Sequence, residues 1–308
     1  MKAVVTGGAG FIGSHLTMEL INQGAQVSVI DNLVSGHKSQ VPPLARFYQI
    51  DIRSLEARRL IVRDMPDVVF HLAAQTDVQN SLSDPAYDAD VNIRGTINLL
   101  RACREAGVGK FVFASTSAVY GDLQKDCLSE DDAAVPISYY GLSKWTAETY
   151  IRLFHQLFAI PYTILRFSNV YGPGQTPKGE GGVVAVLTDR IRAGNHFSIH
   201  GDGEQTRDFI FVKDVVRAVI SAAERANLQT IHVSSSTKTS INGLTQTLSR
   251  LLGSDVKTVH TSARKGDIRH SCLDNQKARL LLEWEPLTDL PTGLSETYAA
   301  AINKRFRR

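Results

Sequence analysis

Short apolar runs alternate with stretches of helical periodicity through the first half of the chain. Residues 3–5 form an apolar run, a helical pattern begins at Phe11, and the next apolar run covers residues 27–30. Strands that alternate with helices pair in parallel through right-handed crossovers. The pattern therefore predicts an α/β protein with a doubly wound parallel sheet. Further strands are predicted at residues 47–50, 68–70, 111–114 and 162–165, and further helices at residues 54–63, 84–107 and 139–158.

The alternation stops after Asn169, where a long glycine-rich stretch follows and the later elements are shorter. With 308 residues and 43% hydrophobic content, the chain is long enough for one core to split in two. We therefore expect a first domain at residues 1–169. Residues 170–308 are expected to form mainly a smaller α/β substrate-binding domain over the carboxyl ends of the strands, with some segments returning to the large sheet.

Composition narrows the class of protein. The chain has 34 basic and 31 acidic residues and a net charge of +3, so no large basic face for nucleic acid is expected. Three cysteines, Cys103, Cys127 and Cys272, show no paired spacing and are too few for a disulfide framework or a zinc site. No metal is predicted. The absence of an apolar run of about 18 residues or a charged leader predicts a cytoplasmic protein without a membrane contact.

A glycine-rich turn joins the first predicted strand to the first predicted helix. Residues 7–13 contain Gly8-x-Gly10-x-x-Gly13 and also Gly7-x-x-Gly10-x-x-Gly13. Glycines at such a turn allow positive φ and let the backbone approach a pyrophosphate at the helix N-terminus. Taken alone the motif is weak, because a glycine turn without a ligand looks the same. Its position between strand and helix predicts a Rossmann-type site for a dinucleotide.

Asp31 ends the second predicted strand, where its carboxylate can accept hydrogen bonds from both ribose hydroxyls of the adenosine. The same charge repels a 2′-phosphate, and no arginine lies between Asp31 and Arg46, so NAD is predicted rather than NADP. A surface or capping role for Asp31 is the alternative. For Asn92 a structural role is an almost equal alternative. The other expected cofactor contacts are Gly7, Gly10, Phe11, Ile12, Gly13, Asn32, Asp51, Ile52, Leu72, Ala73, Ala74 and Asn92.

Tyr140 and Lys144 lie four residues apart in a predicted helix, so both side chains project from one face. A phenol with a pKa of about 10 is a poor base at neutral pH, but a neighbouring ammonium and a positive nicotinamide favour the phenolate. A Tyr-x-x-x-Lys spacing is common by chance. Here a strand just upstream delivers the hydroxyls of residues 115–117 to the same sheet edge as the glycine turn, which favours a catalytic interpretation.

Several segments resemble the extended short-chain dehydrogenase/reductase family, and within it the nucleotide-sugar epimerases. The segments are residues 6–13, Asp31-Asn32, the Ser-Thr-Ser-Ala-Val-Tyr-Gly run at 115–121, Tyr140-x-x-x-Lys144, and residues 165–173, 201–208 and 266–271. The resemblance implies that Thr116, Tyr140 and Lys144 are catalytic and that Tyr140 and Lys144 also contact NAD. Ser115 and Ser117 are then interpreted as hydrogen-bonding residues at the strand end.

The residues after Thr116 narrow the expected reaction. In this family the 4,6-dehydratases carry Asp-Glu there and the decarboxylases carry a Glu at the position of Ala118, whereas this chain has Ser117-Ala118. The resemblance therefore implies epimerisation at C4 of UDP-glucose and UDP-galactose through a 4-keto intermediate. Another nucleotide-sugar epimerase or oxidoreductase, acting on a uronic or deoxy sugar, stays open. So does a nucleotide-binding regulatory protein without catalysis.

The resemblance also implies substrate contacts and an assembly. Asn169, Arg207 and Arg264 are expected at the diphosphate of a UDP-sugar, Arg264 with a surface role as an alternative. A small residue at Ser271 implies room for UDP-GlcNAc and UDP-GalNAc, unless the serine merely fills a loop. In this family the helices predicted at 84–107 and 139–158 pair across a homodimer. The same apolar stripes could instead be covered within one chain.

Overall fold

The computed structural model describes residues 1–177, 182–263 and 268–303. Its described strands are β1 (Lys2–Thr6), β2 (Gln26–Asp31), β3 (Arg46–Gln49), β4 (Val68–His71), β5 (Lys110–Thr116), β6 (Tyr162–Phe167), β7 (Asn169–Tyr171), β8 (Phe197–His200), β9 (Thr206–Phe211), β10 (Gln229–Val233), β11 (Lys238–Ser240) and β12 (Thr258–Thr261). Its described α-helices are α1 (Phe11–Asn22), α2 (Leu55–Asp64), α3 (Val78–Ser83), α4 (Pro85–Ala89), α5 (Gly95–Ala106), α6 (Tyr139–Phe158), α7 (Val183–Arg192), α8 (Val212–Glu224), α9 (Ile241–Leu252), α10 (Gln276–Leu281) and α11 (Leu290–Asn303).

Seven parallel strands form the central sheet, in the order β10-β6-β5-β4-β1-β2-β3. The chain leaves β1 toward β2 and β3 and then returns to the other side of β1 at β4. Open sheets of this kind bind ligands outside the carboxyl ends of the strands, at the point where the order reverses. The α/β class and the doubly wound parallel sheet predicted from the sequence are confirmed.

The sheet is buried on both faces, because alternate residues of each strand enter two separate cores. In β1, Ala3 and Val5 belong to the core beneath α1 and α8, whereas Val4 belongs to the core beneath α2, α5 and α6. Parallel strands covered on both sides are apolar throughout, which explains why the predicted strands appear as continuous apolar runs. Arg166 is an exception, since this charged residue is buried inside β6.

The helix predicted at residues 84–107 is interrupted, which corrects the prediction. Helix α4 ends at Ala89, a π turn covers Asp90–Arg94, and α5 begins at Gly95. The Thr96 hydroxyl donates to the carbonyl oxygen of Asn92 at 2.6 Å, and the Asn92 amide bonds to groups outside the helix. Side-chain hydrogen bonds of this kind compete with the regular ladder and accompany π turns.

The chain after residue 170 contributes to both layers of the molecule. Two small sheets, β11-β9-β7 and β12-β8, share an apolar core with α7, α9 and α11. Strand β10 lies at the edge of the central sheet beside β6, and α8 packs against α1. The domain boundary at residue 169 stays a prediction. Within the described ranges, no helix is long and apolar enough to cross a membrane.

Candidate active site

The glycine turn between β1 and α1 lies against the end of β4, and side chains would prevent this contact. Gly7 has φ +73°, and a Cβ there would lie 2.7 Å from the backbone nitrogen of Ala73. A Cβ on Gly13 would lie 2.1 Å from the carbonyl oxygen of Gly7. Both distances are too short for a real Cβ, so only glycine allows this turn to close. Gly7, Gly13, Leu72 and Ala73 therefore come together at one sheet edge. Their cofactor contacts and that of Ala74 stay predictions.

The N-terminus of α1 has the features of an anion site. Gly10 occupies the N-cap position, and in the described residues no side chain caps this end and no acidic residue occupies its first turn. The first N–H groups of a helix have no partner within the helix and carry the positive end of its dipole. Phe11 and Ile12 are in this first turn. Their N–H groups are suited to the pyrophosphate of NAD.

Asp31 is buried at the end of β2, beside the glycine turn. Its Oδ2 accepts a hydrogen bond from Ala9 N at 3.0 Å, and its Oδ1 accepts one from Leu33 N at 2.8 Å. A carboxylate has about four acceptor positions, so two stay available for the ribose hydroxyls. The uncapped helix, the glycine turn and this carboxylate together fit NAD.

Two other predicted adenosine contacts are engaged with the protein itself. The Asn32 amide donates to Asp51 Oδ2 at 3.0 Å, and Arg53 binds the Asp51 carboxylate through Nε at 2.8 Å and Nη2 at 2.7 Å. The hydrogen bond from Arg53 holds the pKa of Asp51 well below its usual range, although burial opposes this shift. Ile52 is buried against Gly95. The cofactor contacts of Asn32, Asp51 and Ile52 stay predictions.

His71 links the ends of β1 and β4 to the helix that follows. Thr6 Oγ1 accepts from Ala73 N at 3.2 Å and donates to His71 Nδ1 at 2.8 Å. Because Thr96 donates to Asn92 O, its hydroxyl accepts from His71 Nε2 at 3.0 Å. Burial, helped by the Lys144 charge, lowers the pKa of His71 well below its ordinary value. A neutral His71 therefore holds Thr6, which accepts hydrogen bonds from the backbone nitrogens of Leu72 and Ala73.

Asn92 is buried, and protein groups surround its amide. Its Oδ1 accepts from Gln75 N at 2.8 Å, while its Nδ2 donates to Gln75 O at 2.8 Å and to Ser143 Oγ at 3.0 Å. These bonds join the segment after β4 to the helix that carries Tyr140. The structure thus gives Asn92 the structural role that was the alternative at the sequence level, and its cofactor contact stays a prediction.

Thr116 ends β5, and Tyr140 and Lys144 lie in the first two turns of α6, which packs against β5. Tyr140 and Lys144 are buried, and Lys144 Nζ lies 4.5 Å from the centre of the Phe113 ring. Thr116 Oγ1 accepts from Ala118 N at 3.1 Å. A Cβ on Gly141 would lie 2.4 Å from Ala118 O, so this glycine lets α6 approach the turn that begins at Thr116. The arrangement provides a phenol, a buried cation and a hydroxyl at one edge.

A buried polar network lies behind these residues, and the sequence did not predict it. Ser115 Oγ donates to Glu148 Oε1 at 2.6 Å, and Arg166 binds both oxygens of Glu148 at 2.9 and 2.7 Å. Arg166 also donates to the Tyr120 hydroxyl at 2.5 Å, and that hydroxyl lies 2.6 Å from His232 Nε2. The interpretation of Ser115 as a strand-end hydrogen-bonding residue is confirmed. A charged residue inside the apolar run of β6 was the available signal.

The predicted substrate residues lie mostly around β9. Ser271 is buried, and its backbone nitrogen donates to Thr206 O at 3.2 Å, while Arg207 Nη1 donates to the same oxygen at 2.9 Å. Asn169 begins β7 and pairs with Phe209 of β9. These three residues are therefore close in the fold. Arg264 lies outside the described residues, so its contact stays a prediction.

Comparison with known proteins gives concordant results. The family model described as the NAD dependent epimerase/dehydratase family matches residues 3–233. A curated relative, the "Putative UDP-glucose 4-epimerase" of Methanocaldococcus jannaschii, is 40% identical over 94% of this chain and 95% of its own length.

Two solved structures also resemble this chain closely. UDP-glucose 4-epimerase from Thermotoga maritima, solved with UDP-glucose, superposes with a TM-score of 0.97 at 41% identity, covering 99% of this chain and 100% of its own. UDP-N-acetylglucosamine 4-epimerase from Methanobrevibacter ruminantium, solved with UDP-N-acetylmuramic acid, superposes with a TM-score of 0.94 at 34% identity, covering 98% of each chain.

Proposed function

The chain belongs to the NAD dependent epimerase/dehydratase family, and on that premise we propose that it is a UDP-sugar 4-epimerase acting on UDP-glucose and UDP-galactose. Membership confirms the predicted NAD cofactor. The observation that carries the proposal is the junction of α6 with the Thr116 turn, with Tyr140 and Lys144 buried on one helix face. The relatives named for UDP-glucose 4-epimerase support the choice of sugar and carbon.

Each residue of the set has a distinct task in this reaction. Tyr140 removes the proton of the sugar 4-hydroxyl as general base and returns it after the sugar has turned over. Lys144 favours the ionised phenol through its charge. The Thr116 hydroxyl holds the sugar oxygen as it becomes a carbonyl. Bound NAD supplies the hydride acceptor and donor at C4.

The residues that hold the cofactor do not need to release it in each turnover. Asp31 is proposed to bind the adenosine ribose, the first turn of α1 the pyrophosphate, and residues 72–74 the nicotinamide side. Arg207 and Asn169 are proposed to anchor the UDP diphosphate, because a guanidinium binds phosphate oxygens through two hydrogen bonds. The diphosphate then stays fixed while the sugar changes its exposed face.

The two positions after Thr116 are Ser117 and Ala118, and the absence of an acidic residue at either position argues against elimination or decarboxylation. Ala118 has no side chain beyond Cβ, and its backbone faces Gly141. General acid–base chemistry of those reactions requires an additional carboxyl group near the substrate.

Ser271 supports a further proposal, that the site also admits UDP-GlcNAc and UDP-GalNAc. The relative from Methanobrevibacter ruminantium supports this proposal too.

A panel of UDP-sugars tests the proposed function. Purified protein is incubated with UDP-glucose, UDP-galactose, their N-acetylated counterparts, UDP-glucuronate and a UDP-deoxy sugar, without added NAD. We expect C4 epimers of the first two pairs and no dehydrated or decarboxylated product. Epimerisation confined to UDP-glucuronate or to a deoxy sugar would assign the protein to that substrate class instead. No turnover of any sugar would reject the proposal.

We also propose that the protein is a homodimer. Large apolar side chains of α6 are exposed on the side of the helix opposite Tyr140, and Leu82 of α3 adds another. Exposed apolar patches of this kind mark contact surfaces, and a two-fold dimer would pair the same face of both copies. The exposed apolar residues of α6 on this side include Leu142, Trp145, Tyr150, Leu153 and Leu157.

A further inference from the structure

Two cysteines that are far apart in the sequence meet in the fold. Cys127 Sγ lies 2.7 Å from Cys272 Sγ, although 145 residues separate them, and neither is in a disulfide. Cys103 is buried in the core beneath α2, α5 and α6. A disulfide bond is about 2.05 Å long, so the pair needs only a small side-chain movement to form one.

The backbone around the two thiols holds them in register. Leu128 and Leu273 form a parallel bridge, in which Leu128 N donates to Cys272 O at 2.9 Å and Asp274 N donates to Leu128 O at 2.8 Å. Leu128 and Leu273 are themselves buried in a small apolar cluster. The approach of the sulfur atoms is therefore a consequence of fixed main-chain contacts on the residues that follow both cysteines.

The two joined segments flank the candidate active site. Residues 121–138 connect the turn after Thr116 to the first residue of α6, and residues 268–275 include Ser271, which is bonded to β9. We propose that Cys127 and Cys272 are an oxidation site, at which a reversible intramolecular disulfide fastens these two segments to each other. The reduced pair is the ordinary state in a reducing compartment, where disulfides are transient.

The oxidant is a small-molecule disulfide, and the exchange is balanced. The half-buried Cys127 loses its proton and attacks the small disulfide, so a mixed disulfide forms and one small thiol leaves. Cys272, which is buried, then loses its proton, and its sulfur displaces the second small thiol. The two protein sulfurs give up two electrons and two protons in total, and the small disulfide is reduced to two thiols.

The surroundings of the pair determine how fast this exchange is. Burial raises the pKa of both thiols, and the charges of Asp208 and Asp274 raise the pKa of Cys127 further. Because the thiolate is the reacting form, exchange at neutral pH is slow, and the pair resists brief exposure to an oxidant. A mildly alkaline buffer with excess oxidised glutathione is therefore the suitable condition for a test.

The experiment counts thiols in the full chain before and after oxidation. Reduced protein is incubated with oxidised glutathione, denatured with an alkylating agent and analysed by intact mass and peptide mapping. We expect one alkylated cysteine, Cys103, a linked peptide containing Cys127 and Cys272, and full reversal by dithiothreitol. The melting temperature should rise by roughly 5 °C, because a long loop is closed in the unfolded chain. Amide exchange of residues 121–138 and 268–275 should slow.

Matched variants keep the proposal falsifiable. Cys103→Ala should retain the linked peptide and the shift in melting temperature, whereas Cys127→Ser should lose both and Cys272→Ser likewise. Three alkylatable thiols after oxidation of the wild type, a link to Cys103, or a link between two chains would overturn the proposal. None of these measurements needs a sugar or NAD, so the result is independent of the proposed epimerase activity.

Discussion

At the scale of single residues, the chemical setting of Tyr140 is formed by residues of two elements, β5 and α6. Lys144 lies one turn away on the same helix, Thr116 ends β5, and Gly141 removes the side chain that would keep them apart. The Tyr-x-x-x-Lys spacing could be read from the sequence because one helical turn separates its members. The requirement for glycine at 141 could not be read from the sequence. It arises because a Cβ there would collide with the backbone oxygen of Ala118, which lies on another segment of the chain.

Tyr140→Phe should reduce the turnover of UDP-galactose by about 10²–10⁴-fold, because general acid–base catalysis contributes that much. The ring stays the same size, so the melting temperature should change by less than about 2 °C. Tyr139→Phe is the matched control, since its side chain is exposed and the same atom is removed one position away. Turnover of the Tyr140 variant within tenfold of the wild type would refute the role of the phenol.

Ser271→Tyr should remove activity on UDP-GlcNAc and UDP-GalNAc while activity on UDP-glucose stays within about threefold. Ser271 is buried beside β9, where a ring would occupy the space proposed for the N-acetyl group. Ser271→Ala is the control for loss of the hydroxyl alone. Initial rates on both substrate pairs measure the effect, and an equal loss on both would count against a role in substrate size.

At the scale of elements, α6 has two faces with different roles. Tyr140, Lys144 and Glu148 follow one another at intervals of one turn on the buried face, and the exposed apolar residues proposed for the dimer contact lie on the other. Glu148 is held by Arg166 of β6 and by Ser115 of β5. The helix is thus positioned by charged and hydroxyl groups of two strands that end at the active-site edge. The sequence predicted the helix at residues 139–158 correctly, but it did not predict the hydrogen bonds of Glu148 that hold the helix against β5 and β6.

Glu148→Gln should lower the free energy of unfolding by about 3 kcal/mol, because it leaves the Arg166 guanidinium buried without its counter-ion. Burial acts to raise the pKa of Glu148, but Arg166 outweighs it and the pKa lies below its usual value. The carboxylate therefore contributes stability at neutral pH. Urea unfolding at pH 7 measures the change.

Arg152→Gln is the matched control for that change. Arg152 binds the same carboxylate at 2.8 Å, but its side chain is 34% exposed, so the cost should stay below about 1 kcal/mol. Equal losses in the two variants would show that the buried bond between Glu148 and Arg166 does not anchor α6.

At the scale of the whole molecule, buried neutral histidines couple stability to pH. Burial lowers the pKa of His232 to about 3, and that of His71 also lies well below 6.5. In the unfolded chain both titrate near 6.5, so the unfolded state binds more protons as the pH falls. Their contribution to stability is complete above the unfolded pKa and is lost as the pH falls toward the folded pKa.

Between pH 6.5 and 4.5 the free energy of unfolding should therefore fall by up to about 1.4 kcal/mol per pH unit for each histidine. His232→Gln should reduce this slope by about 1.4 kcal/mol per pH unit, the value for one bound proton. His196→Gln, on the surface, is the control and should leave the slope unchanged. Urea unfolding at several pH values measures the slope. A wild-type slope that His232→Gln does not alter would contradict the assignment.

The assembly is also a property of the whole molecule. We expect sedimentation to give the mass of two chains, and Leu153→Glu on the exposed face of α6 to give one chain, because it introduces a charge into the proposed contact. Leu228→Glu, at an exposed apolar position outside this face, is the control and should leave the dimer intact. A wild-type protein that sediments as one chain would reject the dimer.

The sequence by itself determined the features that depend on residues near one another. Strands β1–β6, the glycine turn, Asp31 and the Tyr140–Lys144 pair follow from periodicity and spacing, because each is encoded within one turn, one strand or one βαβ unit. Only the tertiary structure decided which distant residues meet. Ser115, Glu148 and Arg166, the His71 contacts, and Cys127 with Cys272 join segments that have no shared pattern in the sequence. Burial and hydrogen bonding between such segments depend on how the sheet and helices pack, which no local pattern encodes.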